Sequence, residues 1–289
     1  MIMSVASRLW PTRPGASPFT GGVPADPGPA PRLVATDLDG TLLGSDGDVS
    51  ARTREVLRRV EQAGVPFVMV TGRPPRWMSM VSEQTGHRGL AVCANGALVY
   101  DLHREEVVRS SLLDAAAASE VAQALRAELP ELGFAVERTD GTFGHENAYL
   151  PSFEHPGAQV QALAELLSGD SVKLLARHPT MNPDELLAAA TRTVGDGVTL
   201  THSSSEGLLE ISAAGITKAT GLASLADDLG IEAAHVIAFG DMPNDLPMLA
   251  WAGRSVAVAN AHPDVVAAAD EVTGSNDEHG VAQVLKRWF

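Results

Sequence analysis

The chain has 289 residues, 45% of them hydrophobic and 20% charged, the balance of a globular protein with one large or two modest domains. Its formal charge of −15 argues against a nucleic-acid partner, and any anionic ligand must meet a metal or a local lysine or arginine. The single cysteine, Cys93, excludes an internal disulfide framework and any multi-cysteine metal site.

Residues 1 to about 31 are rich in Pro, Gly, Ala and Ser and carry no helix or strand period, so a disordered leader is expected there. That stretch has no continuous apolar core of a secretory signal, and no run in the chain is long enough to span a bilayer; a cytoplasmic protein without membrane contact is the expectation. The run Leu33-Val34-Ala35-Thr36 reads as a strand buried on both faces, and it ends in Asp37-Leu38-Asp39-Gly40-Thr41. Ser50 can cap a helix over about 51–63. A second buried strand, Val65 to Val70, runs into Thr71-Gly72-Arg73. A helix over about 75–85 and a third strand, Leu90 to Cys93, closed by Asn95-Gly96, complete a strand–helix rhythm typical of a parallel sheet. Within that third strand Cys93 is a small core residue.

From about Leu98 the pattern turns α+β and mostly antiparallel. A hairpin (98–100 and 107–109) is followed by helices over about 114–129, 156–167 and 183–194, and by strands near 134–137, 171–177, 198–201 and 207–211. The parallel rhythm resumes with a helix over about 217–229 and the strand His235 to Phe239, which runs into Gly240-Asp241-Met242-Pro243-Asn244-Asp245. A strand Ser255 to Val258 and helices over about 263–269 and 279–288 close the chain, with Trp288 and Phe289 expected to pin the last helix. The fold class is therefore α/β, a Rossmann-like parallel-sheet core over 32–97 and 213–289, with an inserted α+β block over 98–212.

Ligands in open α/β sheets bind beyond the carboxyl ends of the strands. Three of the predicted strands end there in polar groups: Asp37 and Asp39, then Thr71, then Asp241 and Asp245. Carboxylates gathered at one sheet edge raise one another's pKa unless a cation lies between them, and a hard divalent ion with oxygen ligands suits them. The bland reading of the first cluster is an acidic turn after a strand. Taken alone, Lys218 is a solvated helix residue, and Asn95-Gly96 is a tight turn that also stands at the end of the third strand. No histidine pair shows ligand spacing.

With these motifs in order, the sequence resembles the haloacid dehalogenase (HAD) superfamily of phosphohydrolases, in its Cof-type branch with a large α/β (type IIB) cap. The D-x-D-G-T motif matches Asp37 to Thr41, the Thr after a strand matches Thr71, the lysine matches Lys218, and G-D-x-x-N-D matches Gly240 to Asp245. One departure is Ala219, where the branch usually has glycine after the lysine. The resemblance implies an Mg²⁺-dependent phosphatase acting on a small phosphorylated metabolite such as a sugar phosphate. By the same resemblance Asp37 is the nucleophile and Asp39 the general acid and base. Asp37, Asp241 and the backbone carbonyl of Asp39 hold the metal; Thr71, Gly72, Lys218 and Asn244 bind the phosphate; Asp245 orients its neighbours. Arg73 reads equally as a bridge to the cap and as a substrate contact. The alternatives are a sugar phosphomutase and a non-catalytic metabolite-binding protein on the same scaffold.

Overall fold

A computed structural model describes residues 27–152, 155–204 and 206–289, so the expected leader lies outside the described residues up to position 26. Among the described residues the strands are β1 (Leu33–Thr36), β2 (Phe67–Val70), β3 (Leu90–Cys93), β4 (Leu98–Asp101), β5 (Glu106–Ser110), β6 (Gly133–Glu137), β7 (Phe143–His145), β8 (Gln159–Val160), β9 (Lys173–Arg177), β10 (Val198–Thr201), β11 (Leu208–Ala213), β12 (Val236–Gly240), β13 (Arg254–Ala257) and β14 (Glu271–Val272).

They form two sheets. The first runs β14-β13-β12-β1-β2-β3-β4-β5 and is parallel from β14 through β3. Its central strands are buried on both faces because their side chains alternate between two hydrophobic cores. Leu33 and Ala35 of β1, with Val68 and Val70 of β2, pack on Leu222, Leu225 and Ala226 of the helix Lys218–Asp228. Val34, Phe67 and Met69 point the other way, onto Val56, Leu57 and Val60 of the helix Ala51–Gln62. The Ser50 side chain caps that second helix by accepting the Thr53 N–H, as expected.

The second sheet runs β10-β11-β9-β6-β7-β8 and is antiparallel except between β7 and β8. Its residues also alternate, and the two faces differ: one is wholly apolar, the other mixes charged residues with a small apolar cluster around Ala135, Phe143 and Leu175. Phe134, Val136, Leu174, Ala176, Leu209 and Ile211 pack on the helices Ala115–Glu128 and Pro183–Val194. The opposite face presents Glu137, Lys173, Leu175, Arg177, Leu208 and Glu210 to a cavity. Period-two alternation thus builds a helix-backed layer whose front mixes charged and apolar side chains and faces the cavity.

Three expectations need correction. The hairpin assigned to the start of the insert belongs to the first sheet: β4 pairs antiparallel with β3, Leu98 opposite Cys93, and β5 forms the edge. The turn at Asn95-Gly96 reverses the chain directly onto β3, so the antiparallel signal marks an extension of the sheet, and the second sheet's chain begins after it. The helix expected over 156–167 is a short strand, β8, and one helical turn, Leu163–Leu166; Gly157, at φ +82°, interrupts the helical backbone. The terminal helix is shorter, Gly280–Leu285, after an unanticipated β14. Trp288 and Phe289 do pack on the first core, and the Trp288 indole N–H donates to the Gly28 carbonyl at 2.9 Å. Among the described residues no helix is long and apolar enough to cross a membrane.

Candidate active site

β1 and β12 lie side by side in parallel register, with Thr36 opposite Phe239. The two acidic segments that follow therefore emerge together at the carboxyl edge of the sheet, and the Asp37 N–H donates to the Phe239 carbonyl at 3.0 Å. Side-chain oxygens of Asp37, Asp241 and Asp245 lie within 4.8 Å of one another, and all three residues are buried.

Lys218 joins them from the opposite direction. It opens the helix Lys218–Asp228, whose N-cap Thr217 accepts the Thr220 N–H. That helix end is fixed by close packing against the turn after β3. A Cβ on Gly96, which has φ +100°, would lie 2.0 Å from the Thr217 carbonyl oxygen, and Gly221 meets Gly96 one turn further on. Gly221 lets this helix approach the turn closely. The Lys218 ammonium donates to Asp37 Oδ1 and to Asp245 Oδ1, both at 2.6 Å.

Asp245 spends its second oxygen on the backbone N–H groups of Asp241 and Met242, at 3.0 and 3.1 Å. Asp241 accepts the Thr41 hydroxyl at 2.8 Å. Its other oxygen lies 2.4 Å from where a Cβ on Gly40 would stand, so the glycine of the first motif, at φ +77°, is required by contact as well as by backbone.

One ammonium cannot neutralise three buried carboxylates. Burial, only partly offset by Lys218 and reinforced by Asp245, Asp241 and Asp39, pushes the Asp37 carboxyl well above its ordinary range. Burial and then the charge of Asp245 push Asp241 up to about 7. Lys218 goes the other way: burial would lower it, but Asp245 and Asp37 together hold it firmly protonated. The cluster is thus built with surplus negative charge that a divalent cation would relieve. Both oxygens of Asp245 are already engaged, whereas Asp37 and Asp241 each keep capacity. The donor set, all oxygen, fits a hard ion such as Mg²⁺.

The remaining predicted residues stand around this cluster. Thr71 is buried at the end of β2, and its hydroxyl oxygen accepts the Arg73 N–H at 3.0 Å. Gly72 packs closely on its neighbours: a Cβ there would meet Asn95 Oδ1 at 3.2 Å, a tight contact. Asp39 alone is exposed; Arg73 grips its carboxylate with two hydrogen bonds, of 2.8 and 2.5 Å. Arg73 is thus committed to Asp39 rather than to the second sheet. Asn244 is buried and donates to Asn95 Oδ1 at 3.1 Å, leaving its own Oδ1 without a partner.

Two residues of the site escaped sequence reasoning, both on the second sheet. Lys173 of β9 donates to the Gly72 carbonyl at 2.9 Å and pairs with Glu210 of β11 at 2.5 Å. Glu210 in turn accepts from Asn95 at 2.9 Å. Asn95, at φ +57°, so links Asn244 to the second sheet and is more than a turn residue. A cavity of about 760 Å³ opens above, lined from the first sheet by Asp37, Asp39 and Asn244 and from the second by Lys173, Arg177 and Glu210.

These features can be set beside known proteins. A family model described as haloacid dehalogenase-like hydrolase matches residues 34–285. The 5-amino-6-(5-phospho-D-ribitylamino)uracil phosphatase YitU of Bacillus subtilis is 30% identical over 277 residues, covering 90% of this chain and 98% of its own. The phosphatase YwpJ of the same organism is 29% identical over 281 residues, 88% of this chain and 99% of its own. A solved HAD-superfamily phosphatase from Bacteroides thetaiotaomicron, 26% identical, superposes with a TM-score of 0.75 over 93% of this chain and 98% of that one. The chain belongs to the haloacid dehalogenase-like hydrolases. The family, the fold class and the enzyme class expected from the sequence, a phosphoric monoester hydrolase, all agree with these findings.

Proposed function

We propose that the chain is a Mg²⁺-dependent phosphatase of small phosphate monoesters that works through a phosphorylated Asp37. The observation that carries this reading is the surplus-negative cluster of Asp37, Asp241 and Asp245 around the ammonium of Lys218, with Asp37 lining a cavity large enough for a metabolite. The phosphatase names of the relatives point the same way.

Asp37 and Asp241, with the backbone carbonyl of Asp39, would hold the cation, which when bound offsets charge on the phosphoryl oxygens. The Asp37 carboxylate attacks phosphorus; the bond from phosphorus to the ester oxygen breaks as Asp39, protonated, gives its proton to the leaving alcohol. A water then attacks the same phosphorus and passes its proton to Asp39, and cleavage of the Asp37–phosphorus bond releases inorganic phosphate. Lys218 fixes the attacking carboxylate and balances charge as the phosphoryl group transfers. The Thr71 hydroxyl, the Gly72 region and the Asn244 amide line the space for the phosphoryl oxygens, and Asp245 holds Lys218 in place. Arg73 keeps the Asp39 carboxylate at the cavity until a leaving-group oxygen takes its place.

The second sheet acts as the cap. It closes over the edge of the first, excludes bulk water and supplies the groups that choose the leaving alcohol. Phosphate release from an aryl phosphate tests the chemistry: activity is expected to require Mg²⁺, to vanish in EDTA and to be lost in Asp37→Asn. Undiminished turnover in a folded Asp37→Asn variant would refute it.

A further inference from the structure

Away from the Asp37 cluster, the described residues that line the cavity carry no surplus charge. Among the described residues, every arginine and lysine that lines it is held by its own carboxylate. Arg73 pairs with Asp39, Lys173 with Glu210, Arg177 with Glu206 at 2.9 Å, and Arg76 with Glu137, one of whose hydrogen bonds is 2.9 Å. A carboxylate or second phosphate on the substrate would have to break one of these pairs and leave an acidic side chain unmatched.

The outer part of the cavity is aromatic. Trp77 is 37% exposed and Met80 51% exposed, two of the few large apolar side chains left in contact with water, and both line this cavity. Trp77 lies nearly parallel to His155 (14°, centroids 5.6 Å apart), and His155 lies nearly parallel to Phe143 (25°, 4.1 Å), so the wall consists of aligned ring planes. The Arg76 guanidinium, anchored by Glu137, sits 5.1 Å from the Trp77 ring centre. The faces between these rings are filled by the stack itself, so a flat conjugated ring can add by offset stacking at its exposed end, Trp77, and the volume lies in the range that takes a ligand well beyond a bare phosphate and short alcohol.

We infer that the substrate is a phosphate monoester whose leaving alcohol is uncharged and ends in a flat conjugated ring, the ring resting on Trp77. This rests on the phosphatase reading and narrows it. Between phosphate and ring, the ion pairs and the Ser203 hydroxyl, which donates to Glu210, offer partners for hydroxyl groups on a linker. It also disfavours a bisphosphate-dependent mutase, which would need a free cation for the second phosphate.

The test compares kcat/KM for riboflavin 5′-phosphate (ring, neutral leaving group), glucose 6-phosphate (no ring, neutral) and fructose 1,6-bisphosphate (no ring, charged). The first should exceed the second, and the second the third, by about tenfold or more each. Trp77→Ala should cut the ratio of the first to the second about tenfold. Glu206→Gln, which frees Arg177, should raise the ratio of the third to the second several-fold. A bisphosphate handled as well as glucose 6-phosphate, or a first ratio indifferent to Trp77→Ala, would overturn the inference. If no ester is hydrolysed at all, the phosphatase reading fails separately, and calorimetric binding of the same three compounds decides the inference. Binding of riboflavin 5′-phosphate at least tenfold tighter than glucose 6-phosphate, and weakened by Trp77→Ala, upholds it; equal binding overturns it.

Discussion

Two buried lysines keep different company: Lys173 lines the cavity, and Lys218 lies behind Asp37, which lines it too. Lys218 faces Asp37 and Asp245, with Asp241 beside them, so carboxylates outnumber cations. Lys173 faces Glu210 alone, and the other Glu210 contacts are neutral donors, Asn95 and Ser203. The electrostatics follow the count. Burial lifts Asp37 well above its usual range despite Lys218. Glu210 is buried just as deeply, yet Lys173 and the hydrogen bonds outweigh that burial and hold it below its usual range. A buried charge group that balances is a fastener; one that does not balance is a place to put a cation and a substrate.

The comparison is broken most severely at the unbalanced end. On the proposed mechanism Asp37→Asn removes the attacking carboxylate, and turnover is expected to fall at least about a thousandfold while the chain still folds. Lys218→Met should act similarly on turnover, and it should also destabilise the protein, because it strips from three buried acids the ammonium that pairs with two of them. Single-turnover phosphate release and circular dichroism on the two variants separate these effects.

At the balanced end the loss should appear in stability. Glu210→Gln leaves Lys173 charged and buried beside a neutral amide, a change that costs about 3 kcal/mol or more in urea titration. The double variant Lys173→Met with Glu210→Leu should recover most of that loss, since an apolar pair of similar volume removes the unpaired charge. Recovery of stability without recovery of turnover would show that the pair, through Asn95, also positions Asn244.

These two ends were not equally legible in the sequence. Asp37, Asp39, Thr71, Asp241 and Asp245 declare themselves because each follows a doubly buried apolar run, where a polar residue interrupts a strong pattern. Lys218 gained meaning only from the order of the motifs. Lys173 and Glu210 give no such signal. Each is a single charged residue at the start or middle of an alternating strand, which is how a solvent-facing position also looks, and its partner lies 37 residues away across a sheet register that local pattern does not specify. The pattern of the hairpin Leu98–Ser110 does not tell which sheet it joins, for a related reason. Its two strands pair with each other whether or not a third strand joins them, and only the β3–β4 register shows which sheet they extend.

The smallest expected effect bears on the unbalanced cluster through proton linkage. Asp241 has an ordinary pKa of 3.8 and about 7 in the folded chain, with burial and Asp245 as the leading causes. Between about pH 4 and pH 7 the folded chain therefore holds a proton that the unfolded chain has already released. Stability contributed by this group falls as pH rises through that window, and the penalty is complete above it. Asp241→Asn removes the titration while keeping an oxygen for the Thr41 hydroxyl. In metal-free buffer its Tm should exceed that of the wild type by roughly 3–6 °C at pH 8 and match it near pH 4. Saturating Mg²⁺ should close the gap at pH 8 by stabilising the wild type alone, because a bound cation takes over the work of the missing proton. A Tm difference that is the same at both pH values would mean that packing, and not surplus charge, distinguishes this cluster from the Lys173–Glu210 pair.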